Sequence, residues 1–450
     1  MCWYIDLVTS IQYSFTGQTS KEIAASIEAA INVGEAAPGA RLPSVRALAG
    51  ELEVAPGTVA TAYKTLRSRG LIETGGRNGT TVSARPPRLS MRSGSSQVPP
   101  GVTDLSNGQP DPDLLPRLPI ASALTRPRPA AAPDVGALPE LMDLARQRLE
   151  ADGVPADFLT VTSGGLDAMD RLVAMHLRTG DLVAVEDPGW PNILDLLAAA
   201  GLRVLPLTLD PEGPTSASLQ DALNRGARAV IVTSRAQNPR GCSVTPTRAT
   251  ELRRILGDFP QTLVIEDDHA AELAGVPLAS LAGSTDAWAL VRSTSKPYGA
   301  DLRLAVVAGD ANTVARVESR MRVGTGWVST LLQQLVLGLW TSPEAASALA
   351  AAATEYDARR SQLQQSLAER GIETGGLSGL NVWIPVHDET TTVTRLLQAG
   401  WAVAPGARFR QQSSPAIRIT VSGLTSDTIP ALADDIAAAL VDDLSRPLSS

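Results

Sequence analysis

The spacing of apolar residues divides the chain into a helical first part and a longer part in which strands and helices alternate. Residues 20–33 repeat an isoleucine at every fourth position, which predicts a helix with one buried face. Two more helices are predicted over about 44–52, with Ser44 as the N-cap, and over about 58–68. A glycine-rich turn at 75–79 between β-branched runs predicts a hairpin. These elements, in this order, are typical of a winged helix.

A segment rich in Pro, Ser and Gly, residues 86–103, has no apolar period and is interpreted as a linker. It separates a predicted winged helix, residues 17–85, from a second domain, residues 104–450. In that domain apolar runs of strand length alternate with helical stretches, which indicates an α/β domain whose sheet is buried on both faces. A helical region over about 312–370 is followed by short strands, and these predict a smaller α+β lobe at the C-terminal end.

Composition and charge limit where the chain works and what it contacts. No apolar run reaches the roughly 18–20 residues of a membrane span, so we expect no membrane contact. Two cysteines in 450 residues favour a reducing, cytoplasmic compartment. The net charge is −8, yet residues 17–85 carry eight basic and six acidic residues. Any contact with DNA is therefore expected on a local basic face of that segment.

Lys296 is the most informative single residue. The chain has three lysines against 36 arginines, and Lys296 is its one lysine after residue 64. A lysine can become neutral and nucleophilic, whereas an arginine keeps its proton. Ser293, Ser295 and Arg303 are close in sequence, and they could offer hydroxyl donors and a cation to a phosphate beside an imine. The alternative is a surface lysine without a function.

Two further fragments follow predicted strands. Ser163, Gly164 and Gly165 precede a helix, where free backbone N–H groups and the helix dipole favour an anion, although most such glycines only form turns. In residues 266–269, Glu-Asp-Asp-His, a carboxylate could keep a pyridinium nitrogen protonated. A metal site is the rival interpretation of that cluster. The chain has only three histidines, which makes a metal site the weaker reading.

Three single residues have both a structural and a functional interpretation. Trp190, at a strand end, could stack on a ring or belong to the core. Asn238 could donate to a phenolic oxygen, or its Asn-Pro pair could be an ordinary turn. Arg418 lies inside a predicted strand with apolar neighbours, so it is either paired structurally or available to a carboxylate.

The order and spacing of these fragments resemble fold-type I aminotransferases over about residues 104–445. The segment RLPSVRALAGELEVAPGTVATAYKTLRSRGLI resembles the GntR-type winged helix. Together they are similar to the MocR family of regulators, and the resemblance covers nearly the whole chain. It implies a large domain of the aspartate aminotransferase type with a small α+β lobe, an N-terminal winged helix, and a head-to-tail homodimer.

The resemblance also implies a pyridoxal 5′-phosphate site. Lys296 would form the Schiff base and Asp267 would pair with the pyridine nitrogen. Asn238 and His269 would face the phenolic oxygen, where the family usually has a tyrosine in place of His269, and Trp190 would lie over the ring. The residues implied around the phosphate are Ser163, Gly164, Gly165, Ser293, Ser295 and Arg303.

In the recognition helix, residues 55–57 and Thr61 stand where the family often has basic residues. DNA affinity is therefore expected to depend on Arg41, Arg46, Lys64 and the wing's Arg77. The complete set expected to contact double-stranded DNA is Arg41, Ser44, Arg46, Gly57, Thr58, Thr61, Lys64 and Arg77.

Two functions fit this sequence. The first is a transcription regulator that senses an amine, an amino acid or a vitamin B6 compound, with Arg418 clamping an amino-acid carboxylate. The second is a working aminotransferase with a fused DNA-binding domain. A DNA-binding scaffold without a cofactor would leave Lys296 unexplained. We predict that regulation outweighs catalysis, because a catalyst has no need of a DNA reader and His269 replaces a tyrosine that tunes the lysine's proton.

Overall fold

A computed structural model describes most of the chain. The described residues are 15–32, 34–37, 39–68, 71–74, 79–83, 92, 98–120 and 136–441. They fall into two compact units, one before Arg92 and one from Arg92 onward. None of the helices in these ranges is long and apolar enough to cross a membrane.

The first unit has the helices and the hairpin that the apolar spacing predicts. Its elements are α1 (Ser20–Asn32), α2 (Val45–Glu51), α3 (Pro56–Ser68), β1 (Ile72–Thr74) and β2 (Thr80–Val82). The Ser44 hydroxyl accepts from the backbone N–H of Ala47 at 3.1 Å, so the predicted N-cap is confirmed. Helix α3 begins at Pro56, two residues earlier than predicted, because proline suits the first turn of a helix. Strands β1 and β2 pair antiparallel.

The core of this unit forms where the apolar faces of its helices meet. Ile23 and Ile27 are fully buried, as their spacing of four positions along a helix predicts. Tyr63 on α3 is buried beside them, and its hydroxyl donates to the Pro43 carbonyl at 2.7 Å. Arg41 forms an antiparallel bridge with Thr81, so the turn before α2 is fixed both to α3 and to the hairpin.

The second unit is built on a mixed sheet of eight strands in the described residues. These are β4 (Phe158–Thr162), β5 (Leu182–Asp187), β6 (Arg203–Asp210), β7 (Gly213–Pro214), β8 (Ala229–Thr233), β9 (Leu263–Asp268), β10 (Ala287–Ser293) and β11 (Ala305–Gly309). Their spatial order is β4-β11-β10-β9-β8-β5-β6-β7. The strands from β10 to β6 are parallel, whereas β11 is antiparallel to both its neighbours. Every residue of β8 and β9 is buried, which explains their continuous apolar runs.

Helices cover this sheet and lead to the second lobe. They are α4 (Pro139–Ala151), α5 (Gly165–His176), α6 (Pro191–Ala199), α7 (Ser216–Asn224), α8 (Pro246–Gly257), α9 (Ser295–Tyr298), α10 (Ala311–Arg322), α11 (Thr330–Thr341) and α12 (Pro343–Ala368). The helical region predicted over 312–370 is thus three helices with two breaks. The second break falls at Ser342, whose hydroxyl accepts from the backbone N–H of Ala345 and caps α12.

The smaller lobe has the short strands that the C-terminal sequence predicts. Its sheet has the order β12 (Asn381–Pro385), β15 (Ala416–Thr420), β14 (Ala404–Pro405). Helices α13 (Glu389–Gln398) and α14 (Ile429–Val441) cover it. A separate parallel pair joins β3 (Thr103–Asp104) to β13 (Trp401–Ala402). The chain just after the predicted linker therefore belongs to this lobe, and Leu105 is part of its core.

The parallel strands determine where chemistry can gather. The carboxyl ends of β5, β8, β9 and β10 lie at one edge of the sheet, because parallel strands share their direction. Ligands in open α/β sheets bind at that edge. Trp190, Asn238 and Lys296 each follow one of these strands, and Asp267 is the last residue but one of β9.

Candidate cofactor site and DNA-binding surface

Lys296 lies in the short helix α9, immediately after β10. Its Nζ donates to the carbonyl oxygen of Gly108 at 2.5 Å and to Oε1 of Gln109 at 3.0 Å. Burial and, to a smaller extent, the Arg418 charge lower the pKa of Lys296 to about 8, although Asp267 opposes the change. An amine with this pKa has a neutral, nucleophilic fraction near neutral pH that an ordinary lysine lacks.

A pocket of about 350 Å³, part of it open to solvent, surrounds this amine. Its polar lining residues are Asn238, His269, Asn381 and Lys296 itself, and alanine, leucine and glycine residues form the rest of the wall. A concave, mostly apolar site with a few convergent polar groups is typical of small-molecule binding. Three residues singled out in the sequence therefore come together here.

Two of the three acidic residues that end β9 are bound within the protein. Asp268 accepts from Nε of Arg235 and from Nε of Arg292, both at 2.7 Å. Burial acts to raise the pKa of Asp268, but these two guanidinium groups hold it below its usual value. Glu266 accepts from Ser280 at 2.6 Å, and burial raises the pKa of its carboxyl. Both side chains point to the same face of the strand and stabilise it.

Asp267, between them, points to the opposite face, because side chains alternate along a strand. Its Oδ2 lies 3.5 Å from Nδ1 of His269, its one ion-pair or hydrogen-bond partner within the described residues. Its charge acts on the amine of Lys296. Asp267 is not among the residues that line the pocket, but of the three carboxylates it is the one that contacts the pocket residue His269.

A second group of predicted residues gathers at the start of α5. Gly164 has φ +97°, and a Cβ placed there would lie 2.8 Å from Nη2 of Arg303. A side chain there would clash with this guanidinium, so only glycine lets Arg303 pack directly against the backbone at this position. A Cβ on Gly165 would lie 3.6 Å from Cβ of Ser293, whose hydroxyl accepts from the N–H of Ser295 at 3.3 Å. Glycine N–H groups, serine hydroxyls and a guanidinium thus converge, as an anion site requires.

One expected anion donor is already bonded within the protein. The backbone N–H of Ser163 donates to Oδ2 of Asp167 at 2.9 Å, and Asp167 pairs with Arg171 at 2.9 Å. The sequence reasoning missed this pair, although an aspartate in the first turn with an arginine four residues later is a recognisable signal. The hydroxyl of Ser163 and the N–H groups of the two glycines remain as candidate donors.

Arg418 comes from β15 of the smaller lobe. Its Nη1 donates to Oδ1 of Asn238 at 2.9 Å and its Nη2 to the Ser106 carbonyl at 2.5 Å. A Cβ on Gly108 would lie 2.9 Å from Nη1, so the backbone packs directly against the guanidinium. The guanidinium also lies 4.8 Å from the centre of the Phe409 ring. Its Nε is buried without a hydrogen-bond partner among the described residues.

Burial lowers the pKa of Arg418 to about 9, with the nearby Arg408 adding to the effect and Asp104 opposing it. The Arg418 side chain is nevertheless held by carbonyl and amide oxygens and not by a carboxylate. In this geometry it is not among the residues that line the pocket.

The segment Ser106–Gln109, which the sequence reasoning missed, lies between Lys296 and Arg418. The Gly108 N–H donates to the Thr420 hydroxyl at 3.1 Å, and the Ser422 hydroxyl donates to the Gln109 carbonyl at 2.6 Å. The composition Ser-Asn-Gly-Gln signals a turn. It does not signal which distant residues the turn contacts.

Trp190 stands at the N-cap of α6 and packs, partly buried, against the apolar cluster of α5, α6 and the sheet. It does not line the pocket in the described structure. Its neighbour Gly189 donates its N–H to the Phe409 carbonyl at 2.9 Å. The tryptophan therefore adjoins the segment that packs under Arg418.

The first unit presents an exposed surface along α3 and the turn before α2. Arg41, Arg46, Gly57, Thr61 and Lys64 are exposed there. Two further predicted residues have local roles, since Ser44 caps α2 and Thr58 is half-buried. Predicted residue Arg77 lies outside the described residues. The Arg41 guanidinium is 3.1 Å from where a Cβ on Gly79 would be, which brings it beside the hairpin.

Comparison with known proteins agrees with both units. The family model of bacterial regulatory proteins of the gntR family matches residues 19–82, and that of aminotransferase class I and II matches residues 102–436. The vitamin B6 salvage pathway transcriptional repressor PtsJ of Salmonella typhimurium is 41% identical over 92% of this chain and 96% of that protein. The chain belongs to the MocR-type regulators of the GntR family. It is a transcription regulator in which a GntR DNA-binding domain precedes an aminotransferase-type domain.

Other relatives and solved structures agree with this assignment. The pyridoxine biosynthesis transcriptional regulator PdxR of Corynebacterium glutamicum is 30% identical over 61% of this chain and 60% of that protein. The kynurenine aminotransferase of Pyrococcus horikoshii superposes with a TM-score of 0.70 at 19% identity, covering 77% of this chain and 92% of that one. The α-aminoadipate aminotransferase LysN of Thermus thermophilus gives a TM-score of 0.67 at 20% identity, over 77% and 94% of the two chains. The fold-type I class expected from the sequence is thus confirmed.

Proposed function

We propose that this MocR-type regulator binds pyridoxal 5′-phosphate at Lys296 and that occupancy of this site changes its affinity for operator DNA. The observation that carries the proposal is the setting of Lys296. Its amine has a pKa of about 8, and the carboxylate of Asp267, which contacts the pocket residue His269, acts on it. Gly164 and Arg303, which pack against each other, lie at the same edge of the sheet. These groups match an aldehyde, a pyridine nitrogen and a phosphate.

When bound, the cofactor supplies an electrophilic aldehyde and an electron-withdrawing ring. Lys296, partly neutral, would hold the aldehyde carbon through Nζ with loss of water, and would give up its bonds to Gly108 and Gln109. Asp267 would hold a proton at the ring nitrogen, and its 3.5 Å contact with His269 orients the carboxylate. Arg303 and the serine hydroxyls around Gly164 would hold the phosphate dianion.

At the other side of the ring, Asn238 and His269 face the phenolic oxygen. Asn238 already accepts from Arg418 through Oδ1, so its side-chain NH₂ is directed to the pocket as a donor. His269 would donate to the phenolic oxygen from its second ring nitrogen. We assign no contact with the ring to Trp190, which does not line the pocket.

The effector we favour is a vitamin B6 compound rather than an amino acid. Two relatives are named for vitamin B6 salvage and for pyridoxine biosynthesis. In this chain both Nη groups of Arg418 are bonded to Ser106 and Asn238. The aldehyde has to replace the bonds of Lys296 to Gly108 and Gln109, and an amino-acid carboxylate would have to replace the bonds of Arg418 to Ser106 and Asn238 as well.

We assign to Arg92 the transmission of cofactor occupancy from the pocket to the linker. Its backbone N–H donates to Asp195 of the large domain at 3.1 Å, and its Nη1 donates to the Arg410 carbonyl at 2.8 Å. Its own carbonyl accepts from Nε of Arg408 at 3.0 Å. Asp187, at the end of β5, accepts three backbone N–H groups from residues 411–413 at 2.7–2.9 Å. Movement of this segment would therefore move residue 92, which lies within the predicted linker.

We further propose that the protein acts in the cytoplasm as a head-to-tail homodimer, and that transamination is slow or absent. A regulator needs only a difference in effector affinity between two conformations. A tenfold change in occupancy requires about 1.4 kcal/mol. Steady-state transamination above about 1 per second, with no effect of any substrate on DNA binding, would favour the enzyme instead.

The test measures cofactor attachment and operator affinity in the same protein. Wild type should absorb near about 420 nm with the cofactor, and its operator affinity should shift. Lys296→Ala should lose both responses but keep basal DNA binding. The double variant Arg46→Glu, Lys64→Glu should lose the operator and keep the absorption band. A wild type that stays colourless with excess cofactor would contradict the proposal.

A further inference from the structure

The DNA-facing start of α3 is uncharged. The exposed residues of this helix are Pro56, Gly57, Ala60, Thr61, Lys64, Thr65 and Arg67. Its first two turns, residues 56–63, contain no charged side chain. The N-terminal residues of the second helix in a helix-turn-helix motif contact base edges in the major groove. The part of this helix that meets the bases therefore has no arginine or lysine for guanine and no asparagine or glutamine for adenine.

The hydroxyl group of Thr61 is used within the helix. Its Oγ1 donates to the Gly57 carbonyl at 2.8 Å, one turn earlier. This bond consumes the single hydroxyl proton and fixes the rotamer. Thr61 then offers its methyl group as the apolar group on an exposed surface, and the preceding residue, Ala60, is exposed as well. Gly57 has no side chain, so the helix can approach closely at that point.

We propose that the first two turns of α3 read thymine, through contacts of the Ala60 and Thr61 methyl groups with thymine C5-methyl groups. Thymine alone among the four bases presents a methyl group in the major groove, and alanine and threonine methyl groups are its natural partners. The inference rests on the DNA-binding role of the first unit and specifies what that unit recognises.

We assign the charged residues around this face to contacts with DNA phosphates. Arg41, Arg46 and Lys64 are exposed on its flanks. Contacts to phosphates fix the orientation of a protein on the duplex and supply affinity that depends on salt but not on sequence. Affinity and base preference are thus assigned to different residues: cations on the flanks, and methyl groups in the centre.

The first experiment selects half-sites from a random duplex library with the full-length protein. Thymine should be enriched at two or more positions of each half-site. Replacing those thymines by deoxyuridine removes the methyl group and leaves base pairing unchanged. Each replacement should weaken binding about three- to fivefold, which is the effect of one buried methyl group.

The second experiment uses Thr61→Ser, which removes the methyl group and keeps the hydroxyl bond to Gly57. This variant should bind thymine and deoxyuridine sites equally at one position, with unchanged affinity for the deoxyuridine site. The matched control is Thr250→Ser in the second unit. Thr250 is likewise exposed on a helix, and its hydroxyl bonds to Pro246 one turn earlier at 2.9 Å. The control should keep full discrimination.

The outcomes distinguish failure of the methyl readout from failure of DNA binding by the first unit. Selected sites without thymine enrichment, or equal affinity for thymine and deoxyuridine sites in wild type, would overturn the methyl readout and leave DNA binding intact. A Thr61→Ser protein that still discriminates at every position would overturn the assignment to this residue. Absence of any salt-sensitive DNA binding would contradict the DNA-binding role itself.

Discussion

The two ends of the proposed cofactor site, at Arg303 and at Arg418, differ in what the chain places against each guanidinium group. At the proposed phosphate end, the exposed Arg303 guanidinium packs against Gly164 and has no hydrogen-bond or ion-pair partner among the described residues. At the other end, Arg418 is met by the Ser106 carbonyl and by Asn238, and Gly108 packs against it. The first guanidinium is available to the ligand anion that we propose, whereas the chain itself occupies the second. Under this proposal, recognition of a carboxylate at Arg418 needs a rearrangement that phosphate binding at Arg303 does not.

The largest expected effect is at the phosphate end. Arg303→Ala should weaken cofactor binding roughly ten- to a hundredfold, because a charge-assisted hydrogen bond to a phosphate contributes about 1.5–3 kcal/mol. Titration of the absorption band measures it. Arg225→Ala is the matched control, since Arg225 pairs with Asp221 on the exposed surface. Unchanged cofactor affinity in Arg303→Ala would mean that Arg303, like Arg418, does not bind the cofactor.

The second effect is on the rate of cofactor attachment. Because burial lowers the pKa of Lys296 to about 8, the neutral fraction of its amine grows until about that pH. The rate constant, measured by stopped-flow absorbance, should therefore rise about tenfold per pH unit below pH 8 and level off above it. A rate that keeps rising past pH 10 would mean an ordinary lysine.

The third effect concerns transmission from the pocket to the linker. Arg92→Ala removes the bond from Nη1 to the Arg410 carbonyl and keeps the two backbone contacts of residue 92. The ratio of operator affinities with and without cofactor should fall several-fold towards one. Basal operator affinity and the absorption band should stay as in wild type. If the ratio of operator affinities with and without cofactor equalled that of wild type, another contact would transmit the change.

The smallest effect is expected at the carboxylate end. Arg418→Gln should change cofactor affinity less than about threefold, because the guanidinium does not line the pocket. It should also move the midpoint of the attachment rate to higher pH, since the Arg418 charge lowers the pKa of Lys296. A loss as large as that of Arg303→Ala would show that both ends hold the cofactor.

Much of this fold could be predicted because its signals are local. The isoleucine spacing of α1 and the Ser44 cap of α2 each depend on residues within one or two turns. The apolar runs of β8 and β9 reflect burial on both faces. Lys296 could be singled out from composition alone, because it is the one lysine after residue 64. Properties of this kind need no knowledge of distant parts of the chain.

Tertiary structure decided what each charged group contacts. The alternation of β9 separates Asp267 from its neighbours, but packing determined which carboxylate acts on Lys296 and which meets Arg235 and Arg292. Lys296 bonds to a carbonyl 188 positions earlier in the chain, and Arg418 bonds to one 312 positions earlier. No local pattern encodes such a pair, because the two partners become neighbours only when the smaller lobe and the residues after the linker assemble. The sequence therefore determined the cofactor end of the site, and the assembled lobes determined how its other end is closed.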